Sequence, residues 1–515
     1  MKLFRSIATV GGFTLLSRIS GFVRDALIAA FLGVNVTTDA FFVAFKLPNF
    51  FRRFFAEGAF SAAFVPIFSG LLVTSGKIQA KAYADQVFSG LFLILFMFVL
   101  LFEGGMPLVI TLIAPGFLND PEKYQLAIEL SRITFPYILF ISLAAMLSGV
   151  LNSMGKFGAA AASPIILNIT MIGAVLAVAF WALNPGDAMA MGVFSAGFLQ
   201  LSWLYLSTWR EDFKIKFTRP RLTPDIKKLI RLGIPGAVGA GVVQINIFID
   251  TILASLLPTG AVSYLFYADR LNQLPLGVIG IAVSTALLPE LSKQLKSGSH
   301  EEAHETQNRA LEFVLAITLP AAMSLMVLSY PLVKILFERG AFTPEDALAT
   351  SYVLAAFSVG LPAYVMIKVF STSFFARHDT KTPVKVAMMA VGLNLTLNLI
   401  LIGSLSYVGL ALSTAIAAWF NATLLATKLY KSGGFKIDTR LRERIPRLVI
   451  STFIMGAFLI GLEVHLWSFL EGVFFTRFLV LITLVSAGLI IFGIISYLIK
   501  AIDMSEIKSF FKAVS

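Results

Sequence analysis

Apolar runs long enough to cross a lipid bilayer recur along almost the whole chain, and this pattern limits the fold more than any other feature. Examples are Val87–Leu101, Ile165–Trp181 and Phe478–Ile499. A helix needs roughly 20 mostly apolar residues to cross the hydrocarbon core. Charged residues make up only 14% of the 515 residues, whereas soluble domains contain about 25%. The sequence therefore predicts an all-α polytopic membrane protein and excludes a soluble multidomain protein.

About fourteen transmembrane helices are predicted from these runs and from the turn residues between them. They cover residues 6–32, 37–72, 82–113, 122–153, 158–182, 187–209, 225–257, 260–293, 302–337, 344–376, 381–403, 406–430, 443–466 and 475–499. Lys and Arg collect in the cytoplasmic connections of membrane proteins. Every second connection is basic, and the richest, residues 210–228, holds seven Lys and Arg residues. Both termini are therefore predicted to lie in the cytoplasm.

The two halves of the chain resemble each other at a nearly constant spacing. The alignment pairs Asp25 with Asp250 (225 positions apart), Pro66 with Pro289 (223 apart) and Asn168 with Asn394 (226 apart). The repeated unit contains six predicted helices, an even number, so both copies enter the membrane in the same orientation. In such a parallel repeat the substrate site is expected where the two copies meet. The predicted domains are an N-lobe (1–209), a basic cytoplasmic linker (210–224), a C-lobe (225–430), and two further helices with a cytoplasmic tail (431–515).

Ionisable residues stand within several predicted spans, where each costs about 3 kcal/mol on insertion scales and therefore suggests a functional site. Those in the first two helices are Arg18, Arg24, Asp25, Asp39, Lys46, Arg52, Arg53 and Glu57, and the eighth helix contains Arg270 beside Asp269. In the first two helices, five cations stand against three carboxylates. Unpaired buried cations are costly unless water or an anion reaches them. Because guanidinium groups bind phosphate oxygens in pairs of hydrogen bonds, a diphosphate is the simplest anion that suits them. The alternative is internal ion pairing that only fixes how the helices pack.

The second half has a different set of polar residues. Asp250 lies in the apolar run of the seventh predicted helix, Asn394 and Asn398 are four residues apart in the eleventh, and Thr414 lies in the twelfth. One carboxylate with several neutral oxygen atoms suits a small cation such as Na⁺. Alternatively, Asp250 is a protonatable coupling group or pairs with a lysine.

Other chemistries find little support in the sequence. There are no cysteines, and His300 and His304 lie four residues apart in a polar, solvated stretch, so no metal beyond Na⁺ is expected. The net charge of +12 is explained by the basic cytoplasmic connections, and nucleic acid is not expected as a partner. Neither a phosphate-binding Gly-rich loop with Lys-Ser/Thr nor a Gly-x-Ser-x-Gly motif is present. We therefore expect no enzyme and no cofactor, with energy supplied by a Na⁺ or H⁺ gradient or by the membrane potential.

Long motifs in the chain closely resemble the MurJ family of bacterial lipid II flippases. They are SRISGFVRD at 17–25, TDAFFVAFKLPN at 38–49, RRFFAEGAF at 52–60, ITFPYI at 133–138, YADRL at 267–271 and KTPVK at 381–385. The resemblance covers essentially the full length, including the two last helices. It implies the fold of the multidrug/oligosaccharidyl-lipid/polysaccharide exporter superfamily, in which two six-helix lobes surround a central cavity and work by alternating access.

The same resemblance implies a substrate and a set of site residues. The substrate is lipid II, undecaprenyl-diphosphate-MurNAc-pentapeptide-GlcNAc, exported from the cytoplasmic to the periplasmic leaflet of the inner membrane for peptidoglycan synthesis. The family's cavity residues match Arg18, Arg24, Asp39, Arg52, Glu57 and Arg270. Asp25 and Arg53 are added from the charge argument alone. The last two helices are expected to form a groove for the polyprenyl tail, and some members have a Na⁺ site that Asp250 and Asn394 match.

Membrane lipids and the cell-wall synthesis machinery are the further expected partners. The alternatives are a flippase for another polyprenyl-diphosphate sugar, such as O-antigen or capsule, and a Na⁺- or H⁺-coupled drug exporter of the same superfamily. Two alternatives come from other classes of protein. One is a membrane scaffold whose charges only hold helices together, and the other is an enzyme that acts on lipid-linked sugars.

Overall fold

The protein is helical throughout the part that the computed structural model describes. The backbone is described for residues 2–55 and 59–502, and the side chains for the same range apart from 2–8, 53–55, 59, 62, 234–243 and 278–286. Over these residues there are α-helices and short 3-10 helices but no strands. The α-helices are α1 (Lys2–Leu32), α2 (Val36–Phe55), α3 (Ala59–Thr74), α4 (Gly76–Ile113), α5 (Pro121–Thr134), α6 (Tyr137–Ser153), α7 (Phe157–Trp181), α8 (Pro185–Arg210), α9 (Pro224–Ser255), α10 (Ala261–Lys296), α11 (His300–Val327), α12 (Ser329–Phe337), α13 (Pro344–Val359), α14 (Leu361–Ala376), α15 (Lys381–Lys431), α16 (Thr439–Leu466) and α17 (Phe474–Leu498).

Within the described residues, each predicted span coincides with one observed helix, part of one, or a pair that is broken in the middle. The broken pairs are α5 with α6, α11 with α12, and α13 with α14, while α2 and α3 flank residues 56–58, which are not described. Nine helical segments of the described chain are long and apolar enough to cross a membrane. The fold class, an all-α polytopic membrane protein, is confirmed.

Helix α15 contains the predicted turn between the eleventh and twelfth spans. At 51 residues a straight helix with a rise of 1.5 Å per residue would far exceed the roughly 30 Å core of a bilayer. Ser406 interrupts it with φ 51° and ψ −133°, values that no α-helix contains. The chain therefore turns at Ser406, the first residue of the predicted span 406–430 and three residues after the end of the predicted span 381–403.

The described chain divides into two compact units. The first comprises residues 1–263 together with 339–342. Its core is rich in aromatic rings: Phe51 lies edge-on to Phe98, Phe102 and Phe135, with ring centroids 5.0, 5.1 and 6.0 Å away. Such edge-to-face pairs add about 0.5–1.5 kcal/mol each beyond the burial of their area.

The second compact unit comprises residues 264–338 and 343–515. Helices α16 and α17 pack against α11 and α12 through an apolar cluster that includes Leu315, Ile335, Leu448 and Leu484. Glu312 of α11 also accepts hydrogen bonds from Arg440, at 3.0 and 3.1 Å, and from Arg444 of α16. The predicted division at 209, 225 and 431 follows from the sequence repeat rather than from packing, and it stays a prediction.

Candidate functional site

Arg24 and Asp25 form a buried ion pair in α1, inside the motif at 17–25. The Nε and Nη2 atoms of Arg24 donate to Oδ1 of Asp25 at 2.9 and 2.7 Å, and the two residues are 6% and 3% exposed. Arg18 and Asp25 share a helix face by their seven-residue spacing, and Asp25 also forms an ion pair with its neighbour Arg24. The long arginine side chain reaches across the face to the adjacent carboxylate.

Asn168 of α7 completes the environment of Arg24. Its Oδ1 accepts from Nη1 of Arg24 at 3.0 Å, and its Nδ2 donates to the carbonyl oxygen of Ser17 at 2.8 Å and to Oγ of Ser20 at 3.0 Å. A side chain at Gly21 would touch the amide, because a Cβ there would lie 3.4 Å from Nδ2 of Asn168. The sequence marked Asn168 only as the repeat partner of Asn394 and assigned it no role in the site.

Asp39 lies at the start of α2, and both oxygens of its carboxylate accept hydrogen bonds. One carboxylate oxygen accepts from Nζ of Lys123 and from the amide of Gly260, both at 2.8 Å. The other accepts from the amide and the hydroxyl of Ser263 at 3.0 and 2.6 Å. A carboxylate is favoured at a helix N-terminus, where amides lack partners within the helix. Asp39 therefore caps α10 from another helix while it pairs with a lysine.

Lys123 is a residue that the sequence interpretation missed. It is not among the predicted site residues, but in α5 it is only 4% exposed. Its ammonium also lies 4.5 Å from the centroid of the Phe117 ring. The local sequence carries no sign of this burial, since the partner carboxylate stands 84 positions earlier.

The other predicted cavity residues are either less buried than Arg24 and Asp39 or lie outside the residues that the structure describes. Arg18 in α1 and Arg52 in α2 are half-buried, and both belong to the first compact unit. Arg270 in α10 is half-buried in the second unit, with Cζ 4.6 Å from the centroid of the Phe266 ring. The side chain of Arg53 and the whole of Glu57 lie outside the described residues. That all these side chains line one cavity stays a prediction.

The predicted cation residues divide between the two units. Asp250 of α9 lies in the first unit and accepts from Nδ2 of Asn246 at 3.3 Å. In the second unit, Nδ2 of Asn394 donates to Oγ1 of Thr414 at 3.1 Å, and Oδ1 of Asn394 accepts from Nδ2 of Asn398 at 2.9 Å. Both asparagines are fully buried. Within the described residues, no group of three or more His, Cys, Asp or Glu side chains is arranged to hold a metal ion.

Comparison with known proteins gives one consistent result. A family model described as lipid II flippase MurJ matches residues 28–495. A protein named probable lipid II flippase MurJ from Rhizobium meliloti (strain 1021) is 44% identical over 515 residues, which cover 99% of this chain and 96% of the relative. The protein named lipid II flippase MurJ from Burkholderia cenocepacia is 35% identical over 437 residues, 84% of this chain and 85% of the relative.

Solved structures agree with the sequence comparison. A structure described as lipid II flippase MurJ in an inward closed conformation superimposes with a TM-score of 0.80 at 30% identity, covering 95% of this chain and 98% of that one. An inward-facing MATE family transporter of the MOP superfamily superimposes with a TM-score of 0.66 at 15% identity, covering 83% and 98%. At that identity the second match shows a shared fold alone.

Proposed function

Because the chain belongs to the MurJ family of lipid II flippases, we propose that it moves lipid II from the cytoplasmic to the periplasmic leaflet by alternating access. The observation that carries this proposal is a family match over residues 28–495 in a multi-pass membrane protein. The proposed location is the bacterial inner membrane with both termini in the cytoplasm, supported by the basic connections. Transport without covalent chemistry is proposed, and lipid II is the proposed partner.

The proposed diphosphate site is formed by Arg18, Arg24, Arg52 and Arg270, with the remaining charged positions at 25, 39, 53 and 57 around them. Arg24 supports this assignment because Asp25 and Asn168 hold its guanidinium in a single orientation. A guanidinium held in this way loses less conformational entropy when an anion arrives. Arg18 and Arg52 are half-buried, and they are proposed to bind the diphosphate together with Arg24.

Lipid II drives the conformational change in this proposal only through its differential affinity for the two states. With the cavity open to the cytoplasm, the arginines repel one another, and the diphosphate relieves that repulsion. The lobes can then close around the head group. The polyprenyl tail is proposed to lie along α16 and α17, which expose apolar side chains such as Phe453, Ile460 and Ile482.

The energy source is proposed to be a Na⁺ gradient, with a H⁺ gradient or the membrane potential as the alternatives. Asp250, Asn394, Asn398 and Thr414 supply one carboxylate and neutral oxygens, a donor set that fits a hard cation. A bound Na⁺ would contribute charge to the transport cycle. In the second unit, hydrogen bonds from the side-chain amides of Asn394 and Asn398 hold two of these oxygen atoms, Oγ1 of Thr414 and Oδ1 of Asn394, in place.

The test is a leaflet assay in the host. The protein is depleted, and a periplasmic enzyme that cleaves the lipid II head group reports how much lipid II has reached the outer leaflet. Wild type should restore cleavage, Arg52→Ala should not, and Arg52→Lys should restore part of it because it keeps the charge but loses the paired hydrogen bonds. Arg447→Ala is the matched control, since Arg447 is half-buried like Arg52 but pairs with Glu443 outside the proposed site.

The amount of each variant in the membrane is measured alongside, so that a folding defect is separated from lost transport. Unchanged cleavage after depletion, in a strain with no second flippase, would overturn the substrate assignment. Full activity of Arg52→Ala would remove the arginine from the diphosphate site.

A further inference from the structure

Helix α4 carries a carboxylate, Glu103, within its long apolar run. Side chains three and four positions apart lie on the same face of a helix, so Glu103 belongs to the row formed by Val99, Met106 and Ile110. These three side chains are 7%, 0% and 0% exposed, whereas Leu101, on the opposite face, is 71% exposed. Glu103 is itself half-buried. Its side chain therefore points into the protein rather than into the lipid.

Glu103 lies near the middle of the membrane by its position in the helix. The last residue of α4, Ile113, stands ten positions later, which corresponds to a rise of about 15 Å, half of the roughly 30 Å hydrocarbon core. Leu108 and Leu112, on the way to that end, are 65% and 63% exposed, as expected of side chains that face lipid. An ionisable residue at this depth suggests a functional site.

The acceptor atoms of Glu103 lack their usual donors. The carboxylate oxygen Oε1 is buried and accepts no hydrogen bond from any residue that the structure describes. Pro107 stands four positions later in the same helix. Because proline has no amide proton, α4 cannot supply the hydrogen bond that the carbonyl oxygen of Glu103 would otherwise accept. Burying an ionised carboxylate without a donor costs far more free energy than burying a neutral carboxyl group, so a bound proton stabilises this position.

One cation stands near Glu103. Arg132 of α5 is close enough to act on the carboxylate through its charge. Helix α3, which also packs on α4, has no ionisable residue. The other helices in contact with α4 contribute ionisable groups in the membrane interior, namely Lys46 and Arg52 of α2, Tyr137 of α6 and Asp250 of α9. Glu103 can therefore alternate between an ionised form, balanced by Arg132, and a neutral form.

A row of polar side chains on α5 leads from the non-cytoplasmic end of that helix to Arg132. Glu122, Gln125, Glu129 and Arg132 are spaced by three or four positions and so share one face, and all four are exposed. We call them the α5 polar row. Exposed charged residues in a membrane span line a water-filled cavity. The connection before α5, residues 114–120, contains no Lys or Arg and is predicted to face away from the cytoplasm.

Helices α4 and α5 run side by side in opposite directions. The hydroxyl of Tyr124 donates to the carbonyl oxygen of Pro107 at 2.9 Å and lies 3.0 Å from Oγ1 of Thr111. From this contact Glu103 is one turn back along α4, and Arg132 is two turns on along α5. Arg132 is eleven positions from the start of α5, a rise of about 16 Å, which matches the depth of Glu103. The α5 polar row therefore ends beside Glu103.

We propose that Glu103 is a proton-binding site, which exchanges its proton with the non-cytoplasmic side through water along the α5 polar row once in every transport cycle. This proposal rests on the transport function proposed above. The carboxylate takes the proton from a hydronium ion, which leaves as water, and returns the proton by the reverse step. A metal cation would need several oxygen ligands at once, and no described group of three or more His, Cys, Asp or Glu side chains offers them. A proton needs only one oxygen atom.

The first test detects the proton directly and needs no substrate. Infrared difference spectra of the protein in membranes are recorded as the pH is changed, and the carbonyl stretching band of a protonated carboxyl group is followed. Glu103→Gln should remove one titrating band, because it keeps the shape of the side chain but cannot ionise, and Glu103→Asp should restore a titrating band. Glu345→Gln is the matched control, since Glu345 is an exposed carboxylate at the start of α13, and it should leave that band unchanged.

The second test examines the path. The chain has no cysteine, so a single introduced thiol can be labelled without background. Glu129→Cys places a thiol on the α5 polar row, and Leu101→Cys places one at a position that is 71% exposed but faces lipid. A membrane-impermeant thiol reagent added on the non-cytoplasmic side should label the protein with Cys at position 129 and leave the protein with Cys at position 101 unlabelled.

The third test measures lipid II transport in oriented proteoliposomes while the pH on the non-cytoplasmic side is raised. The rate of the wild type should fall, by up to about tenfold per pH unit, because each cycle then waits for a proton. Glu103→Gln should lose this pH dependence, and both Glu103→Asp and Glu345→Gln should keep it. The amount of each variant in the membrane is measured alongside.

Three results would each overturn the proton site: an infrared titration that Glu103→Gln leaves unchanged, a thiol at position 129 that the reagent cannot reach, or the same pH dependence of transport in Glu103→Gln as in the wild type. If the wild-type protein moves no lipid II, the proposed function fails on its own. The infrared titration and the thiol labelling then still decide whether Glu103 binds a proton from the non-cytoplasmic side.

Discussion

Removing the positive charge of Lys123 should destabilise the protein more than the loss of any exposed lysine. Lys123 and Asp39 are 4% and 1% exposed, and their charged atoms are 2.8 Å apart. Removing one partner of such a buried pair leaves an uncompensated charge, at a cost of about 3–5 kcal/mol. Asp39 keeps three other hydrogen bonds, from Gly260 and Ser263, so the lower end of that range, about 3 kcal/mol, is expected for Lys123→Met.

Methionine is chosen because its unbranched chain replaces the lysine stem and packs well beside the Phe117 ring. In the double variant Asp39→Asn/Lys123→Met no charge is left unpaired. We expect it to be less destabilised than the sum of the single variants, with a coupling energy of roughly 2 kcal/mol. Lys77→Met, at an exposed position of α4, is the control and should change stability by less than about 0.5 kcal/mol.

The measurement is reversible unfolding in mixed micelles, followed by tryptophan fluorescence as the fraction of denaturing detergent increases. The free energy of unfolding is compared among the wild type, the two single variants, the double variant and the control. Equal unfolding curves for Lys123→Met and Lys77→Met would refute the reasoning, because they would mean that the Asp39 charge needs no cation. A double variant as unstable as the sum of the single variants would show that the two side chains act independently.

Two further predictions concern a glycine and a titrating carboxylate. Gly340→Ala should lower the free energy of unfolding by about 1–3 kcal/mol more than Gly76→Ala does, measured in the same micelles. Both glycines have positive φ, but only a Cβ at position 340 would meet another atom within 4 Å. Equal losses for the two variants would mean that the backbone at Ala30 moves aside at no cost in free energy. Hydrogen bonds from the side chain and amide of Thr382 and from the amide of Lys381 hold the pKa of Asp379, in the connection before α15, below its ordinary value of 3.8. The stability advantage of wild type over Asp379→Asn should therefore be complete above that value and shrink as the pH falls through the lower folded pKa, and an advantage that stays constant down to pH 2 would contradict this.

The positions of the helices could be predicted because they depend on local features of the sequence. Apolar runs and turn residues predicted the spans, and the break at Ser406 falls where the eleventh and twelfth predicted spans meet. The identities of the charged residues in α1 and α2 were also visible, since charge is rare in apolar helices. The sequence alone therefore predicts a structural feature when the residues that cause it lie within one helix or one connection.

The partners of those charges could not be predicted, because they come from distant parts of the chain. Asp39 was predicted as a cavity residue with no partner named, and its carboxylate accepts hydrogen bonds from Lys123, Gly260 and Ser263. Asn168 reaches Arg24 across 144 positions. A helical periodicity shows which face a residue occupies but not which helix faces it, so these contacts required the tertiary structure.

Two contacts show the same limit within a repeat that the sequence did reveal. The amide of Gly116 donates to Oγ of Ser255 at 3.2 Å, and the amide of Ala341 donates to the carbonyl oxygen of Ala30 at 2.8 Å. A spacing of 225 positions establishes that the two copies are alike, but it does not say whether each connection packs on its own copy or on the other. The glycines do not reveal it either, since one contact has glycine at the bonded position 116 and the other has it one residue earlier, at 340. What the two contacts share is geometry, a connection anchored by a buried phenylalanine and a backbone amide that meets a helix end of the other copy.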